Sequence, residues 1–508
     1  MEELISLVGI VSKQKVKNIS LVSEATGKNS KIQELYLGIA EGEIKGDEQA
    51  LQLLYNNNSS ITNLNKLKSR LKKRLLNSIF FIDVNKPSFT DYKRVKFELH
   101  RYWTIIRLLI DRGDRLVSIS LLKSTLQTSL KFDFTDISVL CARELSRHYS
   151  IIDPSHKKAK LYTTILDNKT VLFNNELKIE KYYNDLSLLS ITDKSPDKSK
   201  LIASINKIEH ELEEIFINHK SLLVVVYYFN ILSEKYIIKK EFVKCVDHCN
   251  ISLKYFKNRK IKNNKIEGQI NNALILSYLS IHEFQKAKML MKKNLSIFTI
   301  GSYSWFKILS HKCMASFLTK DYHTSMKTIQ LALKHKHLKN YSHYHELFQL
   351  QAAYINLLVM TDLIHFDPKL NYKKFKIAKF LNSVPSFSRS KRGLNVAILI
   401  VGFLHLLLEN KFEKLLSRID SLKQYSYRYL RSDHTYRSNC FIKMLCKIPD
   451  ANYHPVALER HTKKLYGKLS TTSYAYSDNP AEIEVIPYET LWEIVLEILS
   501  KNQKKRRA

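Results

Sequence analysis

Apolar residues recur along most of this chain at intervals of three and four, the spacing that places side chains on one face of an α-helix. Leu64, Leu67 and Leu71 begin one such series, and similar series occupy residues 201–216 and 488–499. Gly and Pro, which interrupt helices, number only 11 and 9 in 508 residues. The pattern therefore predicts an all-α protein.

Clusters of turn-forming residues divide the helical pattern into three regions. Asp153-Pro154-Ser155 and the run 448–455 are the clusters that bound these regions. We expect a helical N-terminal region over 1–150, stacked helical hairpins over 151–447, and a C-terminal segment over 448–508 that ends in an amphipathic helix.

An internal repeat appears when the chain is aligned on four aromatic residues, Phe242, Phe284, Tyr322 and Phe412. At offsets of three, seven and ten after each aromatic residue, the side chain is small, apolar or a short amide. An internal period of about 40 residues is typical of helical-repeat proteins. The repeated positions are Cys245, Cys249 and Ser252; Ala287, Met291 and Asn294; Ser325, Ile329 and Ala332; and Leu415, Ile419 and Leu422.

These units resemble degenerate tetratricopeptide repeats. Tyr236 and Tyr278 stand six residues before Phe242 and Phe284, where that family places an aromatic residue late in the first helix. The units depart from the family because the Trp of the first helix is absent and the period is longer. The resemblance implies a right-handed α-solenoid whose groove binds a protein or peptide. The repeat-core residues that it implies are Tyr236, Phe242, Cys245, Tyr278, Phe284, Ala287, Tyr322, Ser325 and Phe412.

The whole chain is also similar to uncharacterised helical-repeat proteins of Bacteroidota-type bacteria. The similarity rests on the segments Asp47–Asn56, Leu67–Asp83 and Glu482–Leu499. It implies a helical-repeat fold and no known activity.

The chain carries a formal net charge of +34, which would attract a polyanion such as nucleic acid. The sharpest local cluster of basic residues lies in one predicted helix, where they surround a stripe of Leu. A solvated helix face, or a genome that favours Lys codons, explains the same charge. The candidate polyanion-binding residues are Lys66, Lys68, Arg70, Lys72, Lys73 and Arg74.

The predicted last helix is acidic, in contrast to the rest of the chain. Its apolar face contains Trp492, Val495 and Leu496. This face has two interpretations: it binds a partner protein, or it packs on the chain itself and caps the end of a solenoid.

Six Cys spread over the chain do not form a disulfide framework, which favours a reducing, cytoplasmic location. The N-terminal sequence has no signal peptide, and no apolar run is long enough to predict a membrane span. Cys245, His248 and Cys249 lie within one helical turn and are candidate zinc ligands. Their positions in the repeat favour a buried core instead, so we predict no metal and no cofactor.

The sequence contains none of the short motifs of nucleotide-binding or hydrolytic enzymes. We therefore predict a non-catalytic scaffold or adaptor that binds a protein or peptide. The groove would be lined by Lys, Tyr and Asn side chains near Tyr228–Lys235 and Asn271–Tyr278. Two alternatives remain: a nucleic-acid-associated regulatory protein that uses the helix at 66–74, and a helical subunit of an enzyme.

Overall fold

The computed structural model describes residues 1–13, 30–56, 60–80, 82, 84, 91–192, 198–257, 264–364, 380, 392–429, 436–472, 474 and 484–507. All regular secondary structure within these ranges is helical, which confirms the predicted all-α class. The chain forms two compact units, Met1–Phe173 and Asn174–Ala508. The two units therefore divide inside one long helix, His156–Thr192. The regions 1–150, 151–447 and 448–508 stay a prediction from the sequence.

The first unit contains two groups of packed helices. In the first group, the Leu stripe of one helix faces inward, and Leu64, Leu71 and Leu75 are fully buried against the other three helices. The second group surrounds a core that includes Ile106 and Leu122. The helices are α1 (Glu2–Lys13), α2 (Lys31–Glu41), α3 (Asp47–Tyr55), α4 (Ile61–Ile79), α5 (Asp91–Arg112), α6 (Arg115–Lys131), α7 (Thr135–Arg147) and the first part of α8 (His156–Thr192).

The second unit is a succession of helices in which each one, from α9 onwards, packs against the next along the chain. One hydrophobic core extends through it from Ile275 to Leu499. After the end of α8, the helices are α9 (Lys198–Asn218), α10 (Leu222–Ile238), α11 (Phe242–Lys257), α12 (Asn264–Ser280), α13 (Phe284–Ile297), α14 (Tyr303–Leu318), α15 (Tyr322–Lys334), α16 (Ser342–Met360), α17 (Arg392–Leu408), α18 (Phe412–Tyr429), α19 (Tyr436–Leu445), α20 (Pro455–Thr471) and α21 (Tyr488–Arg507).

Helices α10, α12, α14 and α17 are the first helices of four hairpins, and α11, α13, α15 and α18 are the second helices. The two sets differ in burial. Helix α13 buries only Ala287, Met291 and Asn294, whereas α12 buries residues on most of its circumference. Three of the first helices also contact one another, because α10 packs on α12 and α12 on α14. Helix α16 follows α15 and packs on α14 in the same way, so it occupies the place of a further first helix. The first helices are therefore enclosed, and each second helix has a broad face in solvent.

Candidate partner-binding surface

The four second helices begin at the four aromatic residues on which the sequence was aligned. All twelve residues at offsets of three, seven and ten from them are at most 4% exposed. The first of these positions contacts the backbone of the preceding helix: Cys245 Sγ lies 3.8 Å from the carbonyl oxygen of Ser233, and the Ser325 hydroxyl donates to the carbonyl of Cys313 at 3.4 Å. In these two hairpins a larger side chain would crowd the preceding helix, whereas the fourth hairpin places Leu415 at the same position.

The turn between the helices of each hairpin is also repeated. Two residues before the aromatic residue, the backbone adopts the left-handed conformation, with φ between 56° and 62°. The next N–H donates to the carbonyl five residues earlier, over 2.8–3.1 Å, which closes the end of the first helix. None of the four left-handed residues is glycine. They are Lys240, His282, Lys320 and Asn410.

Further turns combine a left-handed residue with this hydrogen bond, among them two, after α6 and α16, that the sequence alignment did not find. Asp133, with φ 57°, joins α6 to α7, and the N–H of Phe134 donates to the carbonyl of Ser129. Asp362, with φ 62°, follows α16 in the same way. The alignment missed the α6–α7 hairpin because Thr135 stands where the other units have an aromatic residue. The buried residues Ser138, Ala142 and Leu145 follow Thr135 at the repeated offsets.

A line of partly exposed side chains crosses the adjacent helices α10, α12, α14 and α16. In each hairpin the reference position is the residue two after the left-handed residue, which is position 242, 284, 322 or 364. The members of the line lie 19, 15, 12 or 8 residues before it, and these spacings place them on one helix face. We call this surface the first-helix strip. It contains Leu223, Tyr227, Asn230 and Glu234 on α10; Lys265, Gln269 and Asn272 on α12; Tyr303 and Lys307 on α14; and His345, Gln349 and Asn356 on α16.

The end of helix α8 lies on the first-helix strip. The ring of Tyr183 packs against that of Tyr227, with centroids 5.4 Å apart, and the Tyr227 hydroxyl donates to Glu180 at 3.0 Å. Burial raises the pKa of Tyr183, and Glu234 raises it further, whereas Lys307 opposes the shift. The Tyr183 side chain is therefore close to strip residues on both α10 and α14.

The groove segments suggested by the sequence overlap the strip only in part. Tyr228 stacks on Phe216 of α9 at 4.1 Å, and Lys235 forms an ion pair with Glu209 of α9. Asn271 is buried and donates to the side chain of Asn294 at 2.9 Å. The side chains named at the ends of those segments thus serve packing within the chain, and neighbouring positions form the strip.

The six candidate polyanion-binding residues lie on α4 and separate into two sets. Lys68 pairs with Asp47 at 2.9 Å and Lys72 pairs with Glu3, so carboxylates of the same unit compensate both charges. Arg74, like these two lysines, is partly buried. Exposed cations with a common face occur at Lys66, Arg70 and Lys73.

The apolar face of α21 packs inside the second unit. Trp492 and Val495 are buried and Leu496 is partly buried in the core, because α21 contacts α17, α19 and α20. These side chains are therefore engaged by the chain itself, which leaves Trp492 and Val495 inaccessible to a partner.

An ion-pair network fixes the segment before α21. Arg437 of α19 donates to Glu484 at 2.9 Å and to Glu489 at 2.7 Å, and its guanidinium also reaches the carbonyls of Leu469 and Thr472. Burial raises the pKa of Glu484, an effect that the hydrogen bonds from Arg437 oppose. One arginine thus links α19, the end of α20 and the start of α21.

The cluster of Cys245, His248 and Cys249 is part of the α10–α11 interface. Both thiols are fully buried, Cys249 lies 3.7 Å from the Ser233 hydroxyl, and His248 Nε2 contacts the carbonyl of Phe229 at 3.1 Å. Among the described residues, no three side chains of Cys, His, Asp or Glu converge as metal ligands would.

The described part of the chain is thus an all-helical protein with repeated hairpins and a mainly polar strip across the first helices. No family model, curated protein or solved structure matches the chain. Among the described helices, none combines the length and apolar composition of a membrane-spanning segment.

Proposed function

We propose that this chain is a non-catalytic scaffold or adaptor that binds a protein or peptide segment on the first-helix strip. In this proposal the hairpins stack as a right-handed solenoid similar to tetratricopeptide repeats, and the strip faces its groove. The protein acts in the cytoplasm, since its six Cys are free thiols.

One observation carries the proposal: a helical segment of the chain, the end of α8, already lies on the strip. Tyr183 and Glu180 contact it through an aromatic pair and a hydrogen bond. Aromatic and polar side chains on rigid helices are typical of surfaces that bind extended or helical segments.

Site-specific photocrosslinking tests this function. A photoreactive residue replaces Gln269 on the strip in one variant and Lys288 on the exposed face of α13 in the other. In lysate of the organism that encodes the chain, we expect discrete protein adducts at position 269 that survive nuclease and that position 288 lacks. Adducts with nucleic acid alone, or equal adducts at both positions, would contradict the proposal.

Helix α4 supports a second candidate function, the binding of a polyanion. Lys66, Arg70 and Lys73 are exposed and recur at the spacing of one helix face. Reversing these three residues to Glu is expected to weaken binding to an oligonucleotide and to lower the salt dependence of the affinity, by about one unit of slope for each lost contact. Unchanged binding would show that α4 is only a solvated face.

A further inference from the structure

One end of the second helix group in the first unit exposes four aliphatic side chains. Leu116 and Val117 stand in the first turn of α6, and Leu116 is 88% exposed. A single helical turn, His148–Ile152, follows α7, and its Ile151 is 70% exposed. Aliphatic side chains that cluster in contact with water mark a binding surface. We call Leu116, Val117, Ile151 and Ile152 the apolar tip.

The two parts of the apolar tip are neighbours in the fold. Helices α6 and α7 pack against each other, and the left-handed turn at Asp133 reverses the chain between them. The start of α6 therefore lies beside the end of α7. In agreement, burial lowers the pKa of His148 and the nearby charge of Arg115 lowers it further, and Lys123 Nζ lies 5.5 Å from the ring centre of Tyr149.

Basic side chains stand around the apolar tip, in the turn before α6, at the end of α7 and in the first turn of α8. All of them are exposed: Arg112, Arg115, Arg147, Lys157 and Lys158. In the part of the chain that the structure describes, no carboxylate pairs with Arg112, Arg147 or Lys157. The same segments contain two carboxylates, Asp114 and Asp153, so the surroundings of the apolar tip are positively charged.

We propose that the apolar tip inserts into the surface of a membrane that contains anionic phospholipids, and that the surrounding cations bind the phosphate headgroups. Apolar side chains reach the boundary between headgroups and acyl chains, while Lys and Arg remain at the charged surface. A lipid surface fits this composition better than a protein does, because protein interfaces are enriched in aromatic residues. Tyr149, the aromatic residue of the same helical turn, is buried.

This inference goes beyond the proposed scaffold function. The apolar tip belongs to the first unit, whereas the first-helix strip belongs to the second. A chain that binds a protein on the strip and a membrane at the tip would hold its partner at the membrane.

Sedimentation of the full chain with lipid vesicles tests the inference. The neutral vesicles consist of phosphatidylcholine, and the anionic vesicles contain about one third phosphatidylserine. We expect the chain to bind the anionic vesicles at least about tenfold more tightly than the neutral ones. Added salt is expected to weaken this binding, because it screens the headgroup charges.

Replacement of aliphatic side chains shows whether the tip enters the membrane. Leu116→Ser with Ile151→Ser leaves the net charge unchanged, so only apolar burial is lost, and we expect binding to the anionic vesicles to weaken by about tenfold. The control, Ile251→Ser with Leu331→Ser, removes the same residue types at exposed positions of α11 and α15. We expect the control to change binding by less than about twofold, because those positions are not part of the contact.

Charge reversal shows whether the basic residues at the tip bind the headgroups. Arg112→Glu with Lys157→Glu is expected to weaken binding to the anionic vesicles by at least about tenfold. The control, Lys288→Glu with Lys327→Glu, makes the same charge change at exposed positions of α13 and α15. We expect less than about a twofold effect from this control, because charges away from the contact are screened. Circular dichroism verifies that each variant is folded.

Three results would overturn the inference. The chain fails to bind the anionic vesicles, or the charge control weakens binding as much as the tip variant does, so that the net charge of the chain explains the binding. In the third result, the serine variant of the tip binds as tightly as the native chain. Discrete protein adducts of a photoreactive residue at position 117, in lysate freed of membranes, would then assign the tip to a protein partner. The adducts expected at position 269 test the scaffold function separately.

Discussion

Buried amides hold together the α12–α13 hairpin. Asn294 donates to the carbonyl of Gly268 at 2.9 Å and to Asn272 at 3.0 Å, and it accepts a hydrogen bond from Asn271. The internal repeat predicted a packing role for Asn294, because this residue lies ten positions after Phe284, at the third repeated offset. Asn271 was assigned to the groove surface, since a free Asn in a helix is usually exposed. Only its partner across the hairpin explains why it is buried.

Gly268 is predicted to tolerate no side chain. A Cβ atom there would lie 2.7 Å from Cζ of Phe298, whose ring is itself 9% exposed and packed in the core. We expect Gly268→Ala to lower the free energy of unfolding by about 1–3 kcal/mol through overpacking, measured by urea denaturation.

Gly467 in α20 provides the matched control for this substitution. A Cβ atom there meets no other atom within 4 Å, and the residue is exposed. Gly467→Ala is expected to raise the free energy of unfolding by about 0.5–1 kcal/mol, because alanine favours a helix interior. Equal effects at the two positions would show that contact with Phe298 is unimportant.

One kind of turn joins the helices of hairpins in both units. The sequence alignment placed the starts of four second helices correctly, because an aromatic residue and three buried offsets recur locally. It missed the α6–α7 hairpin, where Thr135 replaces the aromatic residue but the turn at Asp133 is the same. It also missed Tyr183 on the strip, since that contact joins residues distant in sequence and leaves no periodic signal.

The left-handed residue of these turns is predicted to favour glycine. Lys320 has φ 56° and lies between α14 and α15. Because a side chain is strained in this conformation, we expect Lys320→Gly to raise the free energy of unfolding by about 0.5–1 kcal/mol. Lys327→Gly, at an exposed position inside α15, is expected to lower it by about 1 kcal/mol. Thermal or urea denaturation compares them, and a loss at both positions would refute the role of the turn.

In the second unit as a whole, we expect stability to depend on pH through His405, which is buried, and His248, which is partly buried. Burial lowers the pKa of His248 in α11 and of His405 in α17. His405 Nε2 contacts the carbonyl of Ala353 at 3.3 Å, and its buried Nδ1 has no hydrogen-bond partner. Protonation would therefore place a buried N–H without an acceptor in the core.

The unfolded chain binds protons at these histidines more tightly than the folded chain does. Their contribution to stability is complete above the unfolded pKa of about 6.5 and is lost as the pH falls below it. We expect the free energy of unfolding to decrease between pH 7.5 and 5.5, by up to about 1.4 kcal/mol per pH unit for each histidine.

Urea denaturation of His405→Gln at both pH values tests this prediction. The glutamine amide can still donate to the carbonyl of Ala353, and the decrease between the two pH values is expected to be smaller than in the native chain. His323→Gln, at an exposed position in α15, should leave the decrease unchanged. The same decrease in all three proteins would exclude His405 as its source.

The packing of α21 on α17 has a consequence for synthesis of the protein. Helix α17 is among the most apolar segments of the chain, and Asn502 of α21 donates to the carbonyl of Leu407 within it. The ribosome must add about 80 residues after Leu408 before it reaches Tyr488, which takes roughly 4–16 s at about 5–20 residues per second. During that interval the nascent polypeptide lacks one of the helices that pack on α17. We therefore expect ribosome pausing between α17 and α21 to expose part of this apolar helix and to favour aggregation of the growing chain.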